Sequence, residues 1–131
     1  MKTHWLRLLL IATAGCSTGE VPFGTSSVIV FGTVTRGGAV LSGARVYSYL
    51  CFGPCGTPPM RGAAETTDAA GHCRQLIQLP FSEQQGCLTV RALVDRGSTT
   101  DSVTVSDVSV LLKDDARPGP PDSTRIDIAF P

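Results

Sequence analysis

The sequence predicts an all-β protein, a seven-stranded antiparallel β-sandwich made of two sheets. Apolar residues recur at every second position in short segments, which is the period of a half-buried strand, and no segment shows a helical period. Glycine and proline, 14 and 9 of the 131 residues, separate these segments at short intervals, and charged residues make up only 17% of the chain. A chain of this size buries about two-thirds of its unfolded surface, which is enough for one core.

The first fifteen residues are predicted to be an export signal that lies outside the fold. They carry the basic residues Lys2 and Arg7, then the apolar run LLLIATA, and end in small residues before Cys16. This order is typical of a secretory signal. The apolar run is too short to span a bilayer, which needs about 20 residues.

The end of this segment resembles the lipobox of bacterial lipoproteins, with Thr13 at the position of the usual Leu. The resemblance implies that Cys16 carries a diacylglyceryl group and becomes the new N-terminus, which makes the membrane a partner. Ser17 resembles the signal that sorts lipoproteins to the outer membrane of Gram-negative bacteria. We therefore expect an outer-membrane lipoprotein that faces the periplasm or the outside. The alternative is an ordinary secretory signal, with Cys16 an incidental thiol.

Residues 16–26 are small, polar and turn-rich, which indicates a lipidated N-terminus and a flexible tether. The β-sandwich domain is predicted to span residues 27–131. Its expected strands are 27–35, 44–50, 63–67, 72–79, 87–95, 99–112 and 125–130. The alternation places Val30, Val46, Val90 and Ile128 in one interior, whereas Arg45, Tyr47, Tyr49 and Cys51 fall on the outward face.

The sixth segment changes phase. Val103 and Val105 are two residues apart, and so are Val108 and Val110, but the two pairs differ in parity. A strand of period two cannot keep both pairs on one face, so a bulge or break is predicted at Ser106-Asp107.

Three short motifs, in order, resemble the carboxypeptidase regulatory-like domain. They are V-x-G-x-V at residues 30–34 followed by G-A-x-V at 43–46, T-D-x-x-G at 67–71, and Gly86 before the alternating strand at 88–92. The resemblance implies a prealbumin-like sandwich with starch-binding-like relatives and no catalytic activity. The residues themselves predict folding roles. Gly32 admits a second backbone, Gly71 takes a positive φ, and Asp68 bonds its own backbone two residues on.

Four cysteines follow Cys16, and an exported chain can oxidise them. A bridge between Cys73 and Cys87 is disfavoured because a straight strand separates them by roughly 20 Å, beyond the ~7 Å Cα limit. Prealbumin-like topology implies that Cys51 and Cys87 lie on neighbouring strands. The favoured disulfide therefore joins Cys87 to Cys51 or Cys55. A local bridge between Cys51 and Cys55 is the alternative. Cys73 is expected to be a buried core thiol.

Catalytic and metal-binding patterns are not found in the sequence. It contains no G-x-S-x-G and no H-E-x-x-H, and His72 lies beside a turn at an outward position. A zinc site from Cys51, Cys55, His72 and Cys73 matches no familiar spacing, so no cofactor and no metal are predicted. The 11 basic and 11 acidic residues balance, and no basic run indicates nucleic acid.

The predicted binding surface combines the long Pro- and Gly-rich loop at residues 51–62 with the outward tyrosines. The residues predicted to form this surface are Tyr47, Tyr49, Phe52, Met60 and Arg61. Loops on a rigid scaffold are common recognition sites, and aromatic faces stack on sugars and proteins alike. The leading hypothesis is a non-catalytic structural or protein-interaction module of the cell envelope. The alternative is a carbohydrate-binding module of the starch-binding-like type.

Overall fold

The structure is a computed structural model that describes residues 25–53, 55, 61–80 and 85–131. The predicted export signal, Cys16, nearly all of the tether and Met60 lie outside these residues, as does the side chain of Phe52. The described part of the chain contains no helix that could cross a membrane.

The described residues form ten strands in two sheets, which confirms an all-β sandwich but not the predicted count of seven. The strands are β1 (Ser26–Arg36), β2 (Ala39–Val40), β3 (Arg45–Phe52), β4 (Arg61–Thr66), β5 (His72–Leu79), β6 (Gln85–Arg96), β7 (Thr99–Leu111), β8 (Lys113–Asp114), β9 (Asp122–Arg125) and β10 (Ile128–Phe130). The additional strands are the two-residue β2 and β8, and β9, which overlaps the predicted closing strand 125–130 only at Arg125. These elements are too short for an alternating pattern to reveal them.

The first sheet is organised around β1, which has partners on both edges. Along one edge β5 pairs antiparallel over its whole length, and β2 follows. Along the other edge lie β8, then β9 and β10. The chain reverses direction after β8, so β9 and β10 run parallel to β1, whereas the sequence predicted an antiparallel sandwich throughout.

The junction between β9 and β10 is accommodated by Gly32 in β1. A Cβ atom at Gly32 would lie 1.8 Å from the carbonyl oxygen of Ile126. The amide of Ile126 in turn donates to the carbonyl oxygen of Phe31 at 2.8 Å. The predicted close approach of a second backbone at Gly32 is therefore confirmed.

The second sheet has the strand order β4-β3-β6-β7 and is fully antiparallel. Leu88 pairs with Val108 and Val90 with Val105, so Ser106 and Asp107 together oppose a single residue of β6. Asp107 has a φ of 58°, which is the left-handed region. This confirms the predicted bulge and explains the change of phase in the valine pattern.

The core lies between the two sheets and is mainly aliphatic. Its members include Val28, Val30, Val34, Ala44, Val46, Leu50, Cys73, Ile77, Leu79, Leu88, Val90, Ala92, Val110, Leu112, Ile128 and Phe130. The expectation that Val30, Val46, Val90 and Ile128 share one interior is confirmed.

The T-D-x-x-G segment forms the turn between β4 and β5. Asp68 Oδ1 accepts hydrogen bonds from the amides of Ala70 and His72, both at 2.9 Å, and Gly71 has a φ of 75°. Thr67 Oγ1 accepts from the amide of Ala44 at 2.9 Å and donates to the carbonyl oxygen of Leu41 at 2.6 Å. The turn therefore fixes the passage of the chain from one sheet to the other.

Candidate binding surfaces

A disulfide between Cys55 and Cys87 closes one end of the second sheet, with the two Cα atoms 5.0 Å apart. It is one of the two disulfides that the sequence favoured, and it excludes the local bridge between Cys51 and Cys55. Cys51 and Cys73 are free thiols and both are buried.

Cys51 lies directly opposite Cys87 in the ladder but forms no disulfide with it. Two residues further along, the amide of Gly53 donates to the carbonyl oxygen of Gln85, so Cys51 and Cys87 also form a hydrogen-bonded pair. In such pairs the Cβ atoms are about 5.5 Å apart, farther than the ~3.5–4.5 Å of a disulfide. Cys51 is also 8% exposed rather than on an open face as its parity predicted, and its Sγ lies 3.2 Å from the carbonyl oxygen of Cys87.

The ligand atoms of Cys55, Cys87 and Asp107 lie within 4.8 Å of one another, the spacing of a metal site. Both sulfur atoms belong to the disulfide, so neither is a thiolate ligand. The zinc alternative from the sequence does not form, because His72 and Cys73 lie on β5 in the other sheet. The bulge thus places Asp107 next to the disulfide. The described residues do not supply a complete set of metal ligands there.

Two of the predicted surface residues, Tyr47 and Tyr49, lie on the solvent side of the second sheet. We call this side the Tyr face, formed by Tyr47, Tyr49, Thr89, Arg91 and Thr104. Tyr49 is 39% exposed and lies beside Gly62 of β4. Arg61 does not join this face, because it pairs with Leu50, whose side chain is in the core. The positions of the Phe52 and Met60 side chains are not described.

A second surface, which the sequence did not predict, lies on the solvent side of the first sheet. We call it the Phe31 face, formed by Ile29, Phe31, Arg74, Leu76, Ser123 and Arg125. Arg74, Phe31 and Arg125 form one row across β5, β1 and β9. The row belongs to a depression of about 480 Å³ that also includes Thr33 and His72.

The Phe31 face exposes apolar side chains, with Phe31 37% and Leu76 51% accessible to solvent. The sequence did contain a signal for it, since Ile29 and Phe31 make the second side of β1 apolar as well. Such a pattern is typical of a strand that is covered on both sides, which holds for the buried residues Ser26–Val28 but not for Phe31.

The charges around the depression are mostly cationic. Asp127 accepts a hydrogen bond from the amide of Thr33 at 3.0 Å and another from Arg125 Nε at 3.0 Å, and these bonds lower the pKa of Asp127. The Arg74 side chain, in contrast, has neither an ion pair nor a hydrogen bond within the described segments. Of the two arginines that line the depression, Arg74 is therefore the one more available to a ligand.

His72 and Cys73 lie on opposite sides of β5. His72 is exposed opposite Thr33 on the Phe31 face. Cys73, its neighbour in sequence, points into the core, where burial and then the charge of Glu65 raise its pKa to about 11. A thiol with that pKa is a poor nucleophile at neutral pH.

No protein-family model matches the chain, and no curated protein matches its sequence. The functional argument therefore depends on the chemistry of the two exposed faces.

Proposed function

We propose that the protein is an outer-membrane lipoprotein whose β-sandwich is a non-catalytic binding module of the cell envelope. The lipid on Cys16 holds it at the membrane, and the residues between Cys16 and β1 form the tether. The fold is proposed to be of the carboxypeptidase regulatory-like type. Support comes from the motif positions, since Gly32, Asp68 and Gly71 each have the structural role that the sequence predicts.

The observation that carries the binding role is the Phe31 face. Phe31 and Leu76 are exposed although the sandwich has a complete core without them. Phe31 lines the depression, and Leu76 lies beside it, opposite Ile29. Exposed apolar groups at a concave, polar-rimmed surface are typical of interaction sites. The partner is an envelope protein or a polysaccharide.

Anchoring is tested by expressing the precursor in a Gram-negative host with labelled palmitate. The chain is expected to incorporate label and to fractionate with the outer membrane, and Cys16→Ser is expected to lose both properties. Unchanged fractionation of Cys16→Ser would contradict the anchor.

Binding is tested by placing the photo-crosslinker p-benzoylphenylalanine at position 76, in place of Leu76, in growing cells. We expect an adduct that disappears when Phe31→Ala is added, and no adduct from the same crosslinker in place of Arg91 on the Tyr face. Adducts only from position 91 would move the binding role to the Tyr face.

The Tyr face supports a second candidate function, a carbohydrate-binding module for neutral glycans. The exposed ring of Tyr49 shares its face with the hydroxyl group of Thr89 and the guanidinium group of Arg91. Binding to neutral polysaccharides that is lost in Tyr47→Ala/Tyr49→Ala, and retained in Phe31→Ala, would favour this function.

A further inference from the structure

The row Arg74–Phe31–Arg125 brackets an aromatic ring with two cationic side chains. Neighbouring strands are about 4.8 Å apart, so the Cα atoms of Arg74 and Arg125 are about 10 Å apart with Phe31 between them. Arginine side chains are long enough to reach over the central ring from either strand. This spacing suits a ligand that places one ring on Phe31 and an anionic group beside it.

The lining of the depression selects for negative charge. It contains Arg74, Arg125 and His72 and no carboxylate. Asp127, the acidic group bonded to Arg125, lies at the margin, and both partners of this ion pair are more than half exposed. Exposed ion pairs of this kind contribute little free energy, so a ligand carboxylate can compete with Asp127 for Arg125. At Arg74 no carboxylate of the described residues competes with the ligand.

The position of the depression distinguishes a sugar from a peptide. An extended peptide is usually recognised by backbone hydrogen bonds at an open sheet edge. Here the centre of the site is β1, and both of its edges are already paired, with β5 and with β9. A ligand on this face must be recognised by side chains alone. Thr33 and Ser123 supply hydroxyl groups and His72 an imidazole, which suit the hydroxyl groups of a sugar.

From these observations we infer that the Phe31 face binds a carboxylate-bearing pyranose, a uronic acid residue of an acidic polysaccharide. The apolar side of the sugar ring stacks on Phe31, its carboxylate pairs with Arg74, and its hydroxyl groups bond to the polar rim. This inference rests on the proposed binding role and specifies the ligand class of the same face.

The test uses the full exported chain carrying Cys16→Ser, with polygalacturonate as the acidic probe, dextran as the neutral probe and poly-glutamate as the acidic peptide probe. Affinity electrophoresis and calorimetry are expected to show binding to polygalacturonate that weakens with salt, and none to dextran. Arg74→Gln is expected to weaken it about tenfold, the order of one hydrogen bond to a charged group. Phe31→Ala should weaken it as well.

Arg91→Gln on the Tyr face is the matched control and is expected to change the affinity less than twofold. Equal binding to poly-glutamate, retained affinity in Arg74→Gln, or no binding to polygalacturonate would each overturn the inference. Because the crosslinking test at position 76 does not depend on the ligand, a Phe31-dependent adduct without polygalacturonate binding would overturn the sugar assignment alone. Failure of both experiments would overturn the binding role too.

Discussion

The hydroxyl of Ser48 on β3 donates a hydrogen bond to the side-chain carbonyl oxygen of Gln75 on β5, which joins the two sheets inside the core. Gln75 Nε2 also donates to the carbonyl oxygen of Val46 at 3.0 Å. Ser48 is 0% and Gln75 4% exposed, so neither has water as an alternative partner. Because unpaired polar groups in a core are costly, the pair favours one alignment of the sheets.

Ser48→Ala is expected to lower the free energy of unfolding by about 1–3 kcal/mol, because it leaves the buried Gln75 oxygen without its donor. Urea denaturation measures the change. Thr89→Ala, at an outward position of β6, is the control and should change stability much less. If Ser48→Ala were as stable as the wild type, the bond across the core would not contribute.

Gly32→Ala is expected to destabilise the sandwich by about 1–3 kcal/mol, because the new methyl group collides with the Ile126 carbonyl. Gly62→Ala is a matched control in β4, where the nearest atom to an added Cβ lies at 3.6 Å, an ordinary contact. It should be neutral or stabilising, since alanine suits a strand better than glycine. Thermal melts of both variants decide the matter, and equal melting temperatures would contradict the close approach.

Non-reducing peptide mapping is expected to recover a crosslink between Cys55 and Cys87, with Cys51 and Cys73 as free thiols. Cys55→Ser should lower stability by up to about 4 kcal/mol, because the bridge restricts the unfolded chain over a separation of 32 residues. Recovery of a crosslink between Cys51 and Cys87 would show that the ladder geometry at these residues is wrong.

The Cys73 thiol is expected to resist iodoacetamide at pH 8 in the folded protein. Burial and Glu65 raise its pKa to about 11, so about one thiol in a thousand is ionised at that pH. After unfolding in urea the same peptide should label fully, which mass spectrometry of the digest measures. Rapid labelling of the native protein would place Cys73 outside the core.

Stability is expected to fall as the pH drops below about 4, the ordinary range of aspartate. Asp115 accepts hydrogen bonds from Ser27 and Thr25, both at 2.6 Å, and these bonds lower its pKa. The pKa of Asp127 is lowered in the same way by its bonds from Thr33 and Arg125. A lowered carboxyl pKa adds stability above the unfolded value, and this stability is lost as the pH falls through the folded value.

Both carboxylates are largely exposed, so each contribution is below about 1 kcal/mol. Urea denaturation between pH 7 and pH 3 measures the profile, and Asp115→Asn should flatten its acidic limb. If Asp115→Asn lost stability at acid pH as steeply as the wild type, Asp115 would not contribute to the pH dependence.

Local rules predicted much of the fold. Alternation alone placed Val30, Val46, Val90 and Ile128 in the core, because successive side chains of a strand point to opposite sides. The valine phase change located the bulge at Asp107 for the same reason. These features depend on residues close together in the chain.

The candidate site could not be predicted in this way. Arg74, Phe31 and Arg125 are far apart in sequence, and only the pairing of β5 and β9 with β1 places them in one row. Cys51 has an outward parity, but the packing at that end of the sheet buries it. Arg61 was grouped with the tyrosines by its place in the loop, and its pairing with Leu50 separates them.

The sequence by itself determined the strand periods, the Asp68–Gly71 turn, the bulge and the prediction of an exported, lipid-anchored chain, since each depends on a short run of residues. The tertiary structure alone decided which cysteine bonds Cys87, that the last strands run parallel to β1, and which side chains surround Phe31. Those outcomes depend on register and chain direction, which are fixed only when distant segments pack together.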